Sequence, residues 1–527
     1  MSWHNFSQEI LDKFPGTSLF SRRGNEEYLL VPKTQLTEAA QLLTQSGAVL
    51  STMIATDERP VYGVFRLYYV FSRDEEDRFI ILVVNITEPD LTYPSLTPLI
   101  AAAHWYEREA MDMLGLRPIG HPEPNRLVLH HEWPLGVRPL RKDFNPALQE
   151  EGQKAGGGEH RFREVEGEGR FYVPVGPIHA GIIEPGHFRF GTAGENIVHL
   201  EARLFYTHRG MEKQAEGLDF RQGLKLAERI CGVCAYSHSV AYCEALEKIA
   251  GIEIPVRAKL LRTIFLEMER LYNHIGDVGN ICAGTGYAFG SSQGGRLKEA
   301  IMHHNQLLTG HRYLRGINTP GGLKSEPPAS VLLELPDWLD DLGKEFAQFT
   351  EVLLSNPIFL DRVNSTGITS LEAVKELGVV GPAARAAGWS RDCRKIHPHA
   401  AYSQVDFSVP VYTTGDVAAR LKVRIDETGQ SIHIIKQCLE MLEPGEIAEP
   451  LGHLPPYQYA LGYAESPRGE DMHWLMTGEN NTIYRYRVRS ASYTNWPVVS
   501  LAVRGNIVPD FPLINKSFEL CYACLDR

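Results

Sequence analysis

Between residues 34 and 49 apolar side chains recur at helical spacing: Leu36, Ala39, Ala40, Leu42 and Leu43 fall on one face, and Thr34 stands where an N-cap would. The pattern then changes. Residues 61–72 and 79–86 are runs of aromatic and β-branched residues separated by the polar stretch Arg73-Asp-Glu-Glu-Asp-Arg78, which predicts a β-hairpin. Residues 99–116 return to helical spacing, and from Phe171 to Phe205 short apolar runs predict a small antiparallel sheet. Further on, Leu260, Leu261, Ile264, Phe265, Met268, Leu271, Tyr272 and Ile275 form one stripe, with Glu267, Glu269 and Arg270 off it, as a bundle helix requires. Residues 297–314, 330–354 and 417–440 predict further amphipathic helices, and 483–488 a final strand. The expected fold is α+β: a small α/β unit (1–145), a charged glycine-rich linker (146–170), and a mainly helical unit with a small antiparallel sheet (171–527).

Gly156-Gly-Gly158 lacks the strand before and helix after that a phosphate loop needs, so the linker reads as a flexible connection. The longest apolar run, Phe79 to Val84, suits a strand and falls far short of the roughly 20 residues that span a bilayer. Met1-Ser-Trp-His-Asn-Phe6 has no basic stretch leading into an apolar one, so no signal peptide is expected and the cytoplasm is the expected compartment. A formal charge of -12 argues against nucleic acid as a partner, since phosphate binding needs a basic face.

Eight cysteines in such a chain fit reduced thiols better than a disulfide framework. Cys243, Cys282, Cys393 and Cys438 stand alone and read as small buried side chains. The other four form two Cys-x-x-Cys pairs, Cys231/Cys234 and Cys521/Cys524. Each pair can present two thiolates to one metal, and four converging thiolates make a soft site suited to nickel, zinc or iron. The competing readings are redox dithiols, a structural zinc site or coincidence. A zinc ribbon brings its second pair within about 20 residues of the first, whereas most of the C-terminal half separates these two. No further cysteine cluster exists to hold an iron-sulfur centre. Glu107, Arg108, Glu109 and Asp112 could form an acid/base group on one helix, but a solvated or ion-paired face is the commoner outcome. His274, beside the apolar stripe, reads as a core or interface histidine.

Arg229-Ile-Cys231-Gly-Val-Cys234-Ala-Tyr-Ser-His238 resembles the first signature of the large subunits of nickel-iron hydrogenases. Cys521-x-x-Cys524 followed by Arg527 resembles their last, and Pro467-Arg468-Gly469 lies between them as in that family. Glu519-Leu520 stands where many members carry Asp-Pro. In the N-terminal unit, the series His104-Trp-Tyr-Glu-Arg-Glu, Gly120-His-Pro122 and Arg138-Pro-Leu-Arg-Lys-Asp-Phe144 resembles the C subunit of respiratory complex I. The segment from Gly176-Pro-Ile-His179 through Glu184-Pro-Gly-His187 to Tyr206-Thr-His208-Arg209 resembles the fold shared by hydrogenase large subunits and the complex I D subunit. The resemblance is therefore to group 4 membrane-associated hydrogenases of formate hydrogenlyase and hydrogenase-4 type, with the two modules fused.

That resemblance implies nickel held terminally by Cys231 and Cys521, with Cys234 and Cys524 bridging nickel to an iron that carries carbonyl and cyanide ligands. It implies Arg468 and Arg229 as cationic partners, His238 as support, and Arg468, Glu184 and Cys521 in the chemistry. Glu184 is the candidate for carrying protons away. Arg527 is expected to be a processed end. The implied activity is proton reduction to H2 by a peripheral subunit on the inner face of the cytoplasmic membrane. Iron-sulfur clusters are expected only in partners: a small subunit of the complex I B type and a ferredoxin-like subunit. Antiporter-type membrane subunits and a formate dehydrogenase complete the expected partners. The competing functions are a fused C/D subunit of complex I, reducing quinone, and a non-catalytic scaffold.

Overall fold

The computed structural model describes residues 3–74, 76–146, 160, 162, 164, 169–179 and 183–527. Most of the expected linker, 146–170, lies outside the described residues. The N-terminal unit opens with helix α1 (Trp3–Lys13), then strands β1 (Ser18–Arg23) and β2 (Glu26–Leu30) and helix α2 (Leu36–Gln45). Strands β3 (Val49–Asp57), β4 (Phe65–Arg73) and β5 (Glu76–Ile86) follow, then helix α3 (His104–Leu114). The sheet order is β1-β2-β5-β4-β3, with β2 parallel to β5 and the other pairs antiparallel. The 61–72/79–86 hairpin is β4–β5. Thr34 is not a cap: residues 33–35 form a 3-10 turn and α2 begins at Leu36 behind Gln35, with no side-chain cap bond. The helix expected over 99–116 is shorter, because residues 101–103 are a 3-10 turn.

In the second unit, β6 (Arg170–Val175), β7 (His187–Ala193) and β8 (Asn196–Arg203) form an antiparallel sheet in the order β8-β7-β6. Helices α4 (Phe220–Ala227), α5 (Ala235–Ala250), α6 (Val256–Gly284), α7 (Ala288–Thr309), α8 (Ala329–Leu354) and α9 (Val417–Glu440) follow. Strands β9 (Tyr459–Ser466), β10 (Gly469–Thr477) and β11 (Ile483–Arg489) form a second antiparallel sheet, and α10 (Ala491–Ala502), α11 (Phe511–Phe518) and α12 (Tyr522–Asp526) end the chain.

Two features correct the sequence reading, and both place the site. First, the middle of α6, residues 260–275, is buried all round: Glu267, Glu269 and Arg270 are each 0% exposed. Charge at that depth needs partners. Glu267 pairs with Arg270 and Arg394, and Glu269 accepts the Tyr236 and Ser237 amides at 2.7 and 3.0 Å, closing the first turn of α5. Second, β9 and β10 carry no polar/apolar alternation because neither face sees water. One apolar cluster joins Tyr28, Ile54, Tyr68, Phe79 and Ile81 of the N-terminal sheet to Leu461, Tyr463, Met472 and Trp474 of this hairpin. The N-terminal sheet is thus covered by the second sheet as well as by its helices, and burial on both faces produces such continuous apolar runs.

Ionic contacts fix the same interface. Glu109 on α3 accepts from Arg527 Nη2 at 2.9 Å and from Arg487, and Glu212 accepts from Arg485 and Arg527 at 2.9 and 2.7 Å. The α3 carboxylates are therefore structural. Glu107 binds Ser95, Thr97 and the Leu96 amide, and Asp112 accepts the amides of residues 127–129.

Candidate metal centre

Each Cys-x-x-Cys pair sits in the approach to a helix. Cys234 is the residue before α5, and Cys231 Sγ accepts the Val233 and Cys234 amides at 3.4 and 3.2 Å. Cys521 caps α12 in the same way, its Sγ accepting the Cys524 amide at 3.4 Å. Aligned amides of this kind favour thiolate over thiol. The fold then brings the pairs together: Cys231 Sγ, Cys524 Sγ and a ring nitrogen of His238 lie within 4.8 Å of one another. Hydrogen bonds from Cys234, Cys521 and Cys524 hold the Cys231 thiol well below its ordinary pKa, while Cys234 and Cys524 are held well above theirs. Cys231, Cys234 and Cys524 are buried, and Cys521 is partly open.

Arg468 occupies the tight reversal between β9 and β10 and is 5% exposed. Each of its three nitrogens donates: Nε to the Glu519 carbonyl at 2.9 Å, Nη2 to Asp277 Oδ1 at 3.1 Å, and Nη1 to Asn273 Oδ1. Asn273 in turn donates to the Val233 carbonyl, between the first two cysteines, at 2.9 Å. Burial works against the guanidinium charge, but the Asp277 carboxylate above all outweighs it and keeps the pKa well above its usual value. Gly469 is required in this reversal. Its φ is +126°, and a Cβ there would come within 2.7 Å of the Gly381 amide nitrogen. Glu519 itself adopts the left-handed conformation at the end of α11, which is how Glu519-Leu520 makes the turn into the last pair.

Glu184 is half-buried, and its Oε2 accepts the Ala523 amide, between the last two cysteines, at 2.7 Å. His238 is fully buried beside Asp471 and His473. Arg229 stands apart. Its side chain is 56% exposed and donates to the Lys225 carbonyl at 2.6 Å, so its guanidinium is directed to the surface rather than to the sulfurs. The structure therefore gathers the four cysteines, His238, Arg468 and Glu184, and leaves Arg229 outside. Asn273, Asp277, Asp471 and His473 were not singled out in the sequence. The one signal for Asp277 was a charge adjoining the apolar stripe of α6, and such a charge is ordinarily a solvent-facing residue. His274 is a core residue, as expected, bonded to Glu427 Oε2 at 2.7 Å.

The donor set fits a soft binuclear centre: four thiols, a nearby imidazole, and a buried cation to offset net negative charge. Family comparison agrees. Residues 209–277 match the family "Nickel-dependent hydrogenase", residues 286–454 and 451–527 match "Respiratory-chain NADH dehydrogenase, 49 Kd subunit", and residues 29–150 match the 30 Kd subunit of the same enzyme. Formate hydrogenlyase subunit 5 of Escherichia coli is 38% identical across 98% of this chain and 92% of its own length, and hydrogenase-4 component G of the same organism is 36% identical across 98% and 91%. The fused C/D subunit of the NADH-quinone oxidoreductase of Phocaeicola vulgatus is 30% identical over 84% of this chain and 88% of its own. A chain of the membrane-bound sulfane sulfur reductase, an archaeal respiratory membrane complex, superposes with a TM-score of 0.64 at 28% identity, covering 68% of this chain and 99% of that one.

Fold and site together define a nickel-dependent hydrogenase large subunit joined to a complex I 30 Kd-like module. More particularly, the chain belongs to the family of group 4 nickel-iron hydrogenase large subunits of the formate hydrogenlyase and hydrogenase-4 type. No helix among the described residues is long and apolar enough to cross a membrane.

Proposed function

We propose that this chain is the catalytic subunit of a membrane-associated hydrogenase that reduces protons to H2, the reverse of H2 heterolysis, with electrons arriving through iron-sulfur partner subunits and originating in formate oxidation. The observation that carries the reading is the convergence of both cysteine pairs beside the buried Arg468. In this reading Cys231, Cys234, Cys521 and Cys524 would together hold a nickel-iron centre whose iron carries carbonyl and cyanide. When bound, such a centre supplies the redox-active Lewis acid at which H2 is made or split.

The protein's own part is electrostatic and protonic. Arg468, with each guanidinium nitrogen hydrogen-bonded, holds positive charge next to the cage without needing to reorganise, and its packing keeps water off that side. Glu184, bonded to the amide between Cys521 and Cys524, passes protons to the Cys521 side of the cage during H2 evolution and receives them from it in the reverse direction. Residues 1–145 serve as a docking module, joined to the catalytic part by 146–170. Iron-sulfur subunits of the complex I B and ferredoxin types, and antiporter-type membrane subunits, complete an assembly at the inner face of the cytoplasmic membrane. The full-length likeness to two hydrogenase subunits supports this over the quinone-reducing reading that the C/D relatives suggest, because the hydrogenase chemistry requires all four thiols.

The test is nickel and iron content of anaerobically isolated protein, with infrared spectra of the same sample. Nickel, together with bands of iron-bound carbonyl and cyanide, is the expected result. Zinc alone, or no metal in a fully matured preparation, sinks the reading in favour of the quinone or scaffold function.

A further inference from the structure

Two segments far apart in sequence must meet for the four thiols to converge, and one exposed side chain bonds to both. Arg209 follows β8 and stands just ahead of a short helix, Met211–Ala215. Its Nη1 donates to the Arg229 carbonyl at 2.9 Å and its Nη2 to the Ile230 carbonyl at 2.9 Å, on the approach to Cys231. The same Nη2 donates to the Ala523 carbonyl at 2.8 Å, between Cys521 and Cys524. Ala523 is thus pinned at both ends of its backbone, because Glu184 accepts its amide.

The residues leading up to Arg209 grip the second pair. The Phe205 and Thr207 amides each donate to the Asp526 carboxylate at 2.9 Å, and the Thr207 hydroxyl does so at 2.7 Å. His208 Nδ1 donates to the Asp526 carbonyl at 2.6 Å, and the Arg209 amide to the backbone oxygen of Arg527 at 2.7 Å. Segment 205–209 therefore cradles α12, and the Arg209 side chain extends from that cradle to the first pair. A guanidinium presents its N–H groups in a rigid plane, so carbonyls bonded to it are fixed relative to one another. One nitrogen, Nη2, serves both segments, which holds their two carbonyls within reach of a single NH2 group. Arg468 makes a comparable link from the buried side, joining the Glu519 carbonyl to Asn273 and through it to the Val233 carbonyl.

We infer that Arg209 is a positioning residue that acts through the backbone to set the separation of the two Cys-x-x-Cys pairs. It makes one four-sulfur site of what would otherwise be two sites of two sulfurs. The inference requires that the four thiols share a site and does not depend on which metals occupy it.

The test is a titration of the metal-free full chain with Co(II), whose sulfur-to-metal charge-transfer absorption grows with the number of thiolates bound. The parent is expected to take one ion with four-sulfur absorption. Arg209→Ala should bind that ion about tenfold more weakly or worse, since two linked ligand pairs act as one only when held at the right span. At saturation it should take a second ion, with two-sulfur absorption for each. Arg209→Lys keeps the charge but not the planar fork, and should also bind more weakly than the parent. Arg229→Ala removes a charge from the same surface without cutting the link, and should titrate like the parent. Parent-like affinity and stoichiometry in Arg209→Ala overturn the inference. An equal loss in Arg229→Ala also overturns it, by tracing the effect to charge rather than to position. A parent that itself takes two ions removes the shared site and the inference with it. Should the alanine variant not fold, Arg209→Lys decides, and a parent-like titration there overturns the inference. Failure of the nickel-iron reading would appear separately, as matured protein without nickel whose metal-free chain still binds one Co(II) through four sulfurs.

Discussion

Glu184 and Ala523, 339 positions apart in sequence, share one hydrogen bond: the Ala523 amide donates to Glu184 Oε2 at 2.7 Å. The carboxylate is thereby held against the last cysteine pair from a loop of the small β6–β8 sheet. Glu184→Gln keeps an acceptor for that amide but removes the titratable proton. The expected variant retains its metals yet loses most hydrogen/deuterium exchange activity, since a positioned acid/base group contributes roughly 10²–10⁴-fold. Unchanged exchange would remove Glu184 from the proton path.

Arg468 meets the Glu519 carbonyl, Asp277 and Asn273 with three separate donors, and a lysine cannot reproduce that fork. Arg468→Lys should therefore lower turnover, by the 10²–10³-fold or so that loss of one preorganised electrostatic contact typically costs, with nickel occupancy intact. Turnover at the parent rate would show that the arginine is structural only.

Substituting serine for Cys231 or Cys524, the two sulfurs nearest His238, exchanges a soft donor for a hard one. Metal analysis should find nickel lost from both variants, while circular dichroism should match the parent because Cys231 lies in the turn ahead of α5 and Cys524 in the short terminal helix α12. Full nickel content in either variant would contradict the four-thiolate assignment.

Glu212 neutralises Arg485, Arg487 and Arg527 where the two units meet. Glu212→Ala leaves that buried cation cluster with Glu109 as its one remaining carboxylate partner among these contacts. Removing one member of a buried ion pair costs about 3–5 kcal/mol, so the melting temperature should fall by several degrees. A melt within a degree of the parent would show the cluster to be energetically idle.

Glu465 is 1% exposed between Arg385 and the Cys393 amide, and burial, reinforced by the Asp392 charge, pushes its pKa up to about 7. Because the folded-state value lies above the ordinary carboxylate range, the folded protein binds more protons than the unfolded chain between those two values. Its contribution is thus fully present at low pH and is lost as pH rises through about 7. Denaturant titrations between pH 5 and pH 8 should show stability declining more steeply for the parent than for Glu465→Gln. Parallel curves would rule this carboxyl out as the source.

Periodicity and punctuation made helices α2, α3, α6, α7, α8 and α9, the β4–β5 hairpin and the β6–β8 sheet legible, although α7 runs from Ala288 to Thr309 rather than over 297–314; the other helices, α5 with the first cysteine pair among them, were not read from the sequence. The cysteine spacing and the residues beside it likewise identified the sulfurs of the cage, since local motifs carry that chemistry. What the sequence could not determine was everything set by long-range burial. Glu267, Glu269 and Arg270 look like a wet helix face until α5, α9 and the 392–394 turn close over them. The β9–β10 hairpin has no period-two signal because the N-terminal sheet covers its outer face. Arg229 and Arg468 are equally plausible cations by sequence, and only the folded chain turns one to solvent and packs the other against Asp277 and the thiols. The reason is the same in each case: a side chain's charge state and role depend on what excludes water from it, and those neighbours lie from about thirty to some two hundred residues away.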